Sequence, residues 1–212
     1  VDDNSTDNSR EKIEEFLDID PRIKAVFLNT NVGAAKARNI ALQQARGRFI
    51  AFIDSDDIWF PKKLEIQINF MLSKDIAFSF TSYNLMNEKG ISLDKIIEVP
   101  KSLNYHQYLR NTIIGCLTVI IDKSKTDYFE MPIIRSSHDM ALWLLILKKG
   151  FVAYGLNEVL ASYRLVPNSN TAKKWKAASD VWKVYRNFEN LSFLFSFYNF
   201  LNYTYNAIVK RI

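Results

Sequence analysis

The chain has few of the residues that punctuate or staple a fold: its 212 residues include 6 Gly, 5 Pro and a single Cys. With so little glycine and proline, and no low-complexity stretch or internal repeat, general disorder is excluded. One cysteine cannot close an intramolecular disulfide, which fits a reducing compartment. Cys116 lies in the apolar run from Ile113 to Ile121 and reads as a small buried hydrophobe rather than a nucleophile. Long apolar runs are missing too: none reaches the roughly 20 residues of a membrane-crossing helix. No signal-peptide pattern opens the chain. Its first residues, Val1-Asp2-Asp3, read as the tail of a strand, so the expectation is a piece that lacks an upstream strand and helix.

What is present suits one substantial core. The chain is 48% hydrophobic, with 15 Phe, 10 Tyr and 4 Trp. The formal net charge of +5 is uneven. From Thr171 onward stand seven basic residues (Lys173, Lys174, Lys176, Lys183, Arg186, Lys210, Arg211) against Asp180 and Glu189, so the body before them is neutral. A basic, aromatic tail on a neutral body points to a local partner and argues against a nucleic-acid binder.

The spacing predicts strands alternating with helices in the first two-fifths. A helix is expected over Asn8 to Leu17, a strand over Ile23 to Leu28, and a helix over Val32 to Arg46 with Gly47 as its stop. Phe49 to Ile53 is an unbroken apolar run, as a strand covered on both faces should be. Pro61 opens a helix expected to face inward through Leu64, Ile68, Met71 and Leu72. Units this short imply right-handed parallel crossovers in an α/β sheet. Further strands are expected at Ile76 to Met86, Leu117 to Ile121, Phe151 to Gly155 and Val159 to Leu165. Helices are expected at Tyr105 to Asn111, Met140 to Lys149, Ala172 to Glu189 and Leu191 to Lys210. The stretch Val166 to Thr171 has turn composition.

The chemistry concentrates where Phe49 to Ile53 runs into Asp54-Ser55-Asp56-Asp57. Ligands of open α/β sheets bind beyond the carboxyl ends of strands. Three carboxylates there repel one another unless a cation or hydrogen-bond donors compensate. Mg²⁺ and Mn²⁺ take such oxygens and bridge them to phosphates. A solvated, acidic turn before the Pro61 helix explains the cluster about equally well. A second acidic turn, Asp2-Asp3-Asn4-Ser5-Thr6-Asp7, also follows a strand, and two such turns at neighbouring strand ends point to a shared cleft.

With Asn31-Val32-Gly33-Ala34-Ala35-Lys36-Ala37-Arg38-Asn39, these turns resemble the family-2 glycosyltransferases of the GT-A fold. The family's three motifs occur in order: the VDDxSTD turn, the NxGxxxARN helix start and the (F/I)xDxDD acidic end. The resemblance covers Val1 to about Arg164, and the tail resembles bacterial surface-polysaccharide members, including teichuronic-acid-type transferases. It implies a three-layer α/β sandwich with a mixed, mostly parallel sheet over residues 1–170, and a helical tail over 171–212. The family's first strand, a VSIIxPxYN-like segment, is not among these residues.

The resemblance also implies roles. Asp3, with Asp2 nearby, would accept from a uracil-like base, and Arg38 and Asn39 would lie along the nucleotide. Asp54 and Asp56 would form the DxD pair, Asp56 facing a Mn²⁺ or Mg²⁺ ion and the diphosphate, with Asp57 in support. The family places an acidic pair before an apolar helix. The match here is His138-Asp139-Met140-Ala141-Leu142-Trp143-Leu144, which makes Asp139 the expected general base. His138 stands where Glu is usual and is expected to be structural. Arg164 would offset charge on the leaving diphosphate, or be a plain surface cation. No QxxRW signature is present, so addition of one sugar is expected rather than polymerisation.

The expected function is inverting, metal-dependent transfer of one sugar from a nucleotide-sugar donor, UDP-linked by preference, to a glycan or lipid-linked acceptor of the cell envelope. Alternatives are a nucleotidyltransferase and a nucleotide-sugar-binding module without turnover. The tail carries Phe193, Phe195, Phe197, Tyr198, Phe200, Tyr203 and Tyr205 with Lys210 and Arg211. It is expected to touch a membrane surface, placing a cytoplasmic protein at the inner face, the other reading being a helix docked on the domain.

Overall fold

The computed structural model describes residues 1–166 and 174–209. A seven-stranded sheet organises it: β1 (Phe49–Ala51), β2 (Ile58–Trp59), β3 (Phe78–Met86), β4 (Ser92–Ile97), β5 (Ser102–Leu103), β6 (Ile120–Asp122) and β7 (Ala153–Arg164). The order is β1-β6-β3-β7-β2, with β4 paired to β3 and β5 to β7. The sheet is mixed, as expected. Its long central pair, β3 with β7, is parallel, whereas the other pairs of named strands are antiparallel. The expected N-terminal parallel unit narrows to one bridge, Asp2 to Phe27.

Helices are α1 (Ser9–Ile19), α2 (Ala34–Gln44), α3 (Lys63–Ser73), α4 (Tyr105–Arg110), α5 (Lys123–Thr126), α6 (His138–Lys148), α7 (Lys174–Lys183) and α8 (Phe193–Val209). Side-chain alternation along the strands builds three layers. Ile50, Phe52, Phe78, Phe80 and Ile121 join Leu142 and Trp143 of α6 in one core, while Phe49, Ala51 and Ile120 meet Ile68 and Met71 of α3 on the other face. Helix α6 is buried nearly all round, as its composition requires. Trp143 packs edge-on to Phe52 with ring centroids 5.7 Å apart.

Two expected strands, 151–155 and 159–165, are one. β7 runs through Gly155 and Asn157 because register irregularities opposite, at Thr81 to Asn84, absorb the turn-like sequence. Ser82 bonds the Asn157 side chain at 2.6 Å. Gly155 is required here, since a Cβ would stand 2.0 Å from the Pro100 carbonyl oxygen. The expected strand at Leu117 divides into a 3₁₀ turn, Cys116–Thr118, and β6. Cys116 is buried and free, as read from its apolar surroundings.

The inward face of α3 differs from expectation. Leu64 and Leu72 are exposed, whereas Lys63, Gln67 and Met71 are buried. Polar groups left by the 3₁₀ turn explain this. Gln67 donates to the Thr118 carbonyl and to Ser79 Oγ, both at 2.9 Å, and Lys63 bonds Gln67 while its Nζ lies 5.2 Å from the Trp59 ring centre. Trp59 donates to the Leu117 carbonyl at 2.8 Å. Satisfying buried carbonyls outweighs burying two leucines.

The tail packs on the same core. Helix α7 passes into a π-helical turn, Val184–Phe188, and Val181, Val184 and Tyr185 are buried. Glu189 is buried and held by Lys148 at 2.9 Å and by Tyr105. The expected turn at 166–171 lies, after Val166, outside the described residues.

Burial without a carboxylate partner lowers the Lys63 ammonium to about 7 from an ordinary 10.5. Between these values the unfolded chain binds a proton that the folded chain does not, so stability rises with pH. The stability of the wild type relative to Lys63→Met, from urea unfolding, should therefore increase steadily from pH 7 to pH 10. Parallel curves for the two proteins would remove Lys63 as the source.

Candidate active site

The site forms where β1, the start of α2 and the start of α6 converge. After β1 the chain turns sharply, the Asp57 N–H bonding the Asp54 carbonyl at 3.0 Å. This presents Asp54, Asp56 and Asp57 from one short loop. They line a cleft of about 990 Å³ together with Asp2, Asp3, Arg38 and the alanines of α2, Ala34, Ala37 and Ala41. The two acidic turns thus share a cleft, and its size falls in the range of small-molecule sites.

Each acid has a different partner. Asp54 is paired with Arg38. Asp57 is half-buried and accepts the Arg164 N–H at 3.0 Å. Burial pushes its carboxyl up to about 6, with Asp56 and Asp54 adding repulsion. Asp56 is exposed, and its carboxylate has no hydrogen bond or ion pair to the described residues. Asp3 takes the N–H groups of Val32 and Gly33 at 2.7 and 2.8 Å, where Gly33 adopts φ +87° to open α2. Asp2 is buried, accepting from Ser5 N and Arg10 Nε at 3.2 Å each. Both N-terminal acids fix the turn that bounds the cleft.

Arg38 is the hub. One guanidinium nitrogen bonds Asp54 and another bonds Nε2 of His138, so a single fork joins the β1 turn to the start of α6. His138 is followed by Asp139 in the first turn of α6. Asp139 makes no capping bond, and its charge acts on both Arg38 and His138. Ser137 before them is left-handed at φ +56°, a conformation that costs a non-glycine residue energy and recurs at functional sites. Asp54, Arg38, His138 and Asp139, distant in sequence, therefore share one neighbourhood.

Two of the expected site residues bond the main chain. Asn39 is buried away from the cleft lining, and its amide pairs with the Met131 main chain, donating at 2.9 Å and accepting at 2.7 Å. It braces the loop before α6, because the helix turns it to the side opposite Ala34 and Ala41. The Arg164 guanidinium binds the carbonyls of Asp56 at 2.6 Å and Glu88 at 2.9 Å. It clamps the acidic turn to β7 and the loop after β3. The motif-based reading missed the Arg38–His138 bond, whose only sequence signal was a histidine in place of Glu.

No group of three or more His, Cys, Asp or Glu side chains among the described residues converges to hold a metal by itself. The acidic turn does offer the hard oxygens of Asp56 and Asp54 on one loop, which fits an ion shared with a substrate phosphate rather than a protein cage.

A mixed α/β sheet with an acidic turn at a strand end, linked through an arginine to an acidic helix start, agrees with the GT-A fold that the sequence motifs resemble. Comparison makes the assignment concrete. Residues 1–127 match the model of glycosyl transferase family 2. The chain is 53% identical over 212 residues to TuaG of Bacillus subtilis, a glycosyltransferase named for teichuronic acid biosynthesis, covering 100% of this chain and 84% of TuaG. It is 41% identical to the Escherichia coli UDP-Glc:α-D-GlcNAc-diphosphoundecaprenol β-1,3-glucosyltransferase WfgD, over 99% of this chain and 81% of WfgD. In fold it resembles the mannosyltransferase PcManGT of Pyrobaculum calidifontis, solved with GDP-Man and Mn²⁺, with TM-score 0.64 at 15% identity over 90% of this chain. The chain spans about half of that solved structure (54%). The chain belongs to glycosyl transferase family 2, a family of enzymes.

If Asn39 is a brace, Asn39→Ala leaves the buried Met131 N–H and carbonyl unpaired. It should destabilise the fold by about 2–4 kcal/mol, read as a fall in thermal midpoint. Affinity of the folded protein for UDP, measured by calorimetry, should stay within about twofold. A large affinity loss with little destabilisation would return Asn39 to the donor site.

Proposed function

We propose that this chain transfers one sugar from a UDP-linked donor to a lipid-linked glycan precursor of a surface polysaccharide, with inversion at the anomeric carbon. The observation that carries this is the link through Arg38 between Asp54 of the acidic turn and the His138-Asp139 start of α6. It sets a donor-phosphate region beside a free carboxylate, which direct transfer needs. The names of TuaG and WfgD support a surface-glycan role, and that of WfgD supports UDP and a diphosphate-lipid acceptor. Family membership sets aside the nucleotidyltransferase alternative.

Asp56, exposed and unpaired, is the first residue to hold Mn²⁺ or Mg²⁺, with Asp54 second. When bound, the ion neutralises charge on the diphosphate as it leaves. Asp54 stays tied to Arg38, whose charge also faces the diphosphate region. Asp3 keeps lone pairs for the base, and Asp2 fixes the turn beside it. Arg164 holds the turn carrying Asp56. Asp139 takes the proton of the acceptor hydroxyl, and the start of a helix stabilises its carboxylate.

Helix α8 supports a membrane-surface role. Ser196 and Asn199 are fully buried, whereas Leu194, Phe197, Tyr198, Leu201, Tyr205 and Ile208 are exposed at three- and four-residue spacing. Phe195, Phe200 and Tyr203 pack on the core, so the helix is apolar on its outer face as well as its inner one. Arg110 lies 5.1 Å over the Tyr198 ring, placing a cation beside the stripe, as suits an anionic bilayer. No helix among the described residues is long and apolar enough to cross a membrane.

In a donor screen with Mn²⁺ or Mg²⁺, UDP release with a GlcNAc-diphosphate lipid acceptor should fall at least about 100-fold in Asp139→Asn. Asp56→Ala should fall comparably, and EDTA should abolish turnover reversibly. Unchanged transfer by both variants would sink the mechanism, and UDP binding without turnover would support the binding-module reading. The wild type should also sediment with phosphatidylglycerol vesicles, and Leu201→Glu/Tyr205→Glu should not. Equal partitioning of the two would remove the bilayer contact.

A further inference from the structure

A second cavity, of about 290 Å³, lies between the loop that leads into α6 and the junction of α7 with its π-helical turn. It shares no lining residue with the cleft. Ile134, Val184 and Phe188 give it apolar walls, and Arg135 and Lys183 bring cations to it. Asp180 also lines it, but its side chain is 8% exposed against 62% for Lys183, which pairs with it at 3.4 Å. The carboxylate therefore lies inward with its charge answered, and the cations stand at the rim. Arg135 is exposed, and its guanidinium has no hydrogen bond or ion pair among the described residues. Both walls are held in place. The loop is tied to α2 at its two ends, by Asn39 to Met131 and by Arg38 to His138. Just past the π-helical turn, Glu189 is anchored by Lys148 and Tyr105. Such turns are rare and recur at functional sites.

We propose that this cavity holds the lipid end of the acceptor: its diphosphate at Arg135 and Lys183, and its first isoprenoid units between Ile134, Val184 and Phe188. The inference rests on the proposed function, which makes the acceptor a lipid-linked diphosphate. A free sugar or a bare phosphate would leave the apolar walls in contact with water. The volume accommodates on the order of ten non-hydrogen atoms, at the ~30 Å³ that liquid water gives each molecule. Two five-carbon isoprenoid units fill that space. The unpaired guanidinium at the rim presents the planar fork that suits phosphate oxygens. The cavity also lies near the start of α6. Ser136 lines it and stands three residues before Asp139, so their Cα atoms are at most about 11 Å apart. On the other side, Trp182 of α7 packs on Phe193 and Phe200 of α8, with ring centroids 5.8 and 5.4 Å apart. The cavity wall and the helix proposed to meet the bilayer are thus one packed unit, along which the rest of the lipid chain would run.

Geranyl diphosphate, a ten-carbon isoprenoid on a diphosphate, is the probe, added to the full chain with UDP and Mn²⁺ in excess to occupy the donor cleft. By calorimetry it should bind at least about tenfold more tightly than inorganic diphosphate or geraniol, equivalent to about 1.4 kcal/mol. Arg135→Gln removes the unpaired cation, and Asn187→Trp fills the cavity from its exposed rim. Neither side chain is bonded among the described residues, so both variants should keep the wild-type thermal midpoint. Each should weaken the probe at least about tenfold and leave UDP affinity within about twofold. Unchanged probe affinity in either variant overturns the proposal, as does binding no tighter than that of inorganic diphosphate. Equal displacement of the probe by short-chain phosphatidylglycerol also overturns it, because the cavity then takes an ordinary phospholipid. With UDP-glucose and a GlcNAc-diphosphate lipid as substrates, both variants should raise the acceptor KM about tenfold at an unchanged donor KM, and an unchanged acceptor KM counts against the cavity. If the wild type does not turn over this pair, that failure belongs to the proposed function, and the geranyl diphosphate measurements alone then decide the inference.

Discussion

The Arg38 guanidinium reaches Asp54, 16 residues along the chain, and His138, 100 residues along, with two nitrogens of one rigid plane. A lysine could not hold both, because its single ammonium lacks the fork geometry. The position of Arg38 is in turn set from below. Asn39, the next residue, is anchored to the Met131 main chain, and Asp3 grips the N–H groups that open α2. The helix that presents the arginine is therefore fixed at its start and along its side. Its small residues, Ala34, Ala37 and Ala41, leave the cleft open above it.

A second set of polar contacts supports the acidic turn from the other side. Arg164 uses its guanidinium on carbonyls of the turn and of the loop after β3, and its own N–H on Asp57. Trp59, Lys63 and Gln67 hold the 3₁₀ turn that leads into β6. Such buried groups are costly unless every partner is present. The cost keeps the loop between β1 and α3 in one arrangement. Short of these contacts, three neighbouring carboxylates would push the turn apart.

Elements with strong periodicity were legible from the amino acids alone: the β1 run, α2, α6 and a helical C-terminal region. Their burial follows composition, as the wholly apolar surroundings of Trp143 show. Where polar side chains took over buried positions, pattern failed. Lys63 and Gln67 displaced two leucines from the inner face of α3 because carbonyls there needed donors. In α8 the small residues Ser196 and Asn199 allow close packing and push large apolar side chains outward. β7 was read as two strands because Gly155 and Asn157 look like a turn, and no local rule reveals the opposing irregularity in β3. The acidic turns were legible as a shared cleft, but which residues brace and which face it depended on long-range hydrogen bonds.

The division of labour among the three acids follows from this bracing. Asp54 has its charge answered by Arg38, and Asp57 is partly withdrawn from water and held by a main-chain N–H. Asp56 alone is exposed, and its carboxylate has no ion-pair partner among the described residues. The uncompensated charge of the turn is therefore concentrated on one carboxylate at the mouth of the cleft. An electric field of that kind attracts a cation but cannot complete its coordination. In the proposed function the remaining oxygens would come with the substrate diphosphate. Across the Arg38 fork lies the start of α6 with the Asp139 carboxylate. The same arginine thus ties the acidic turn to that helix start, which in the proposed function are the donor and acceptor halves of the site.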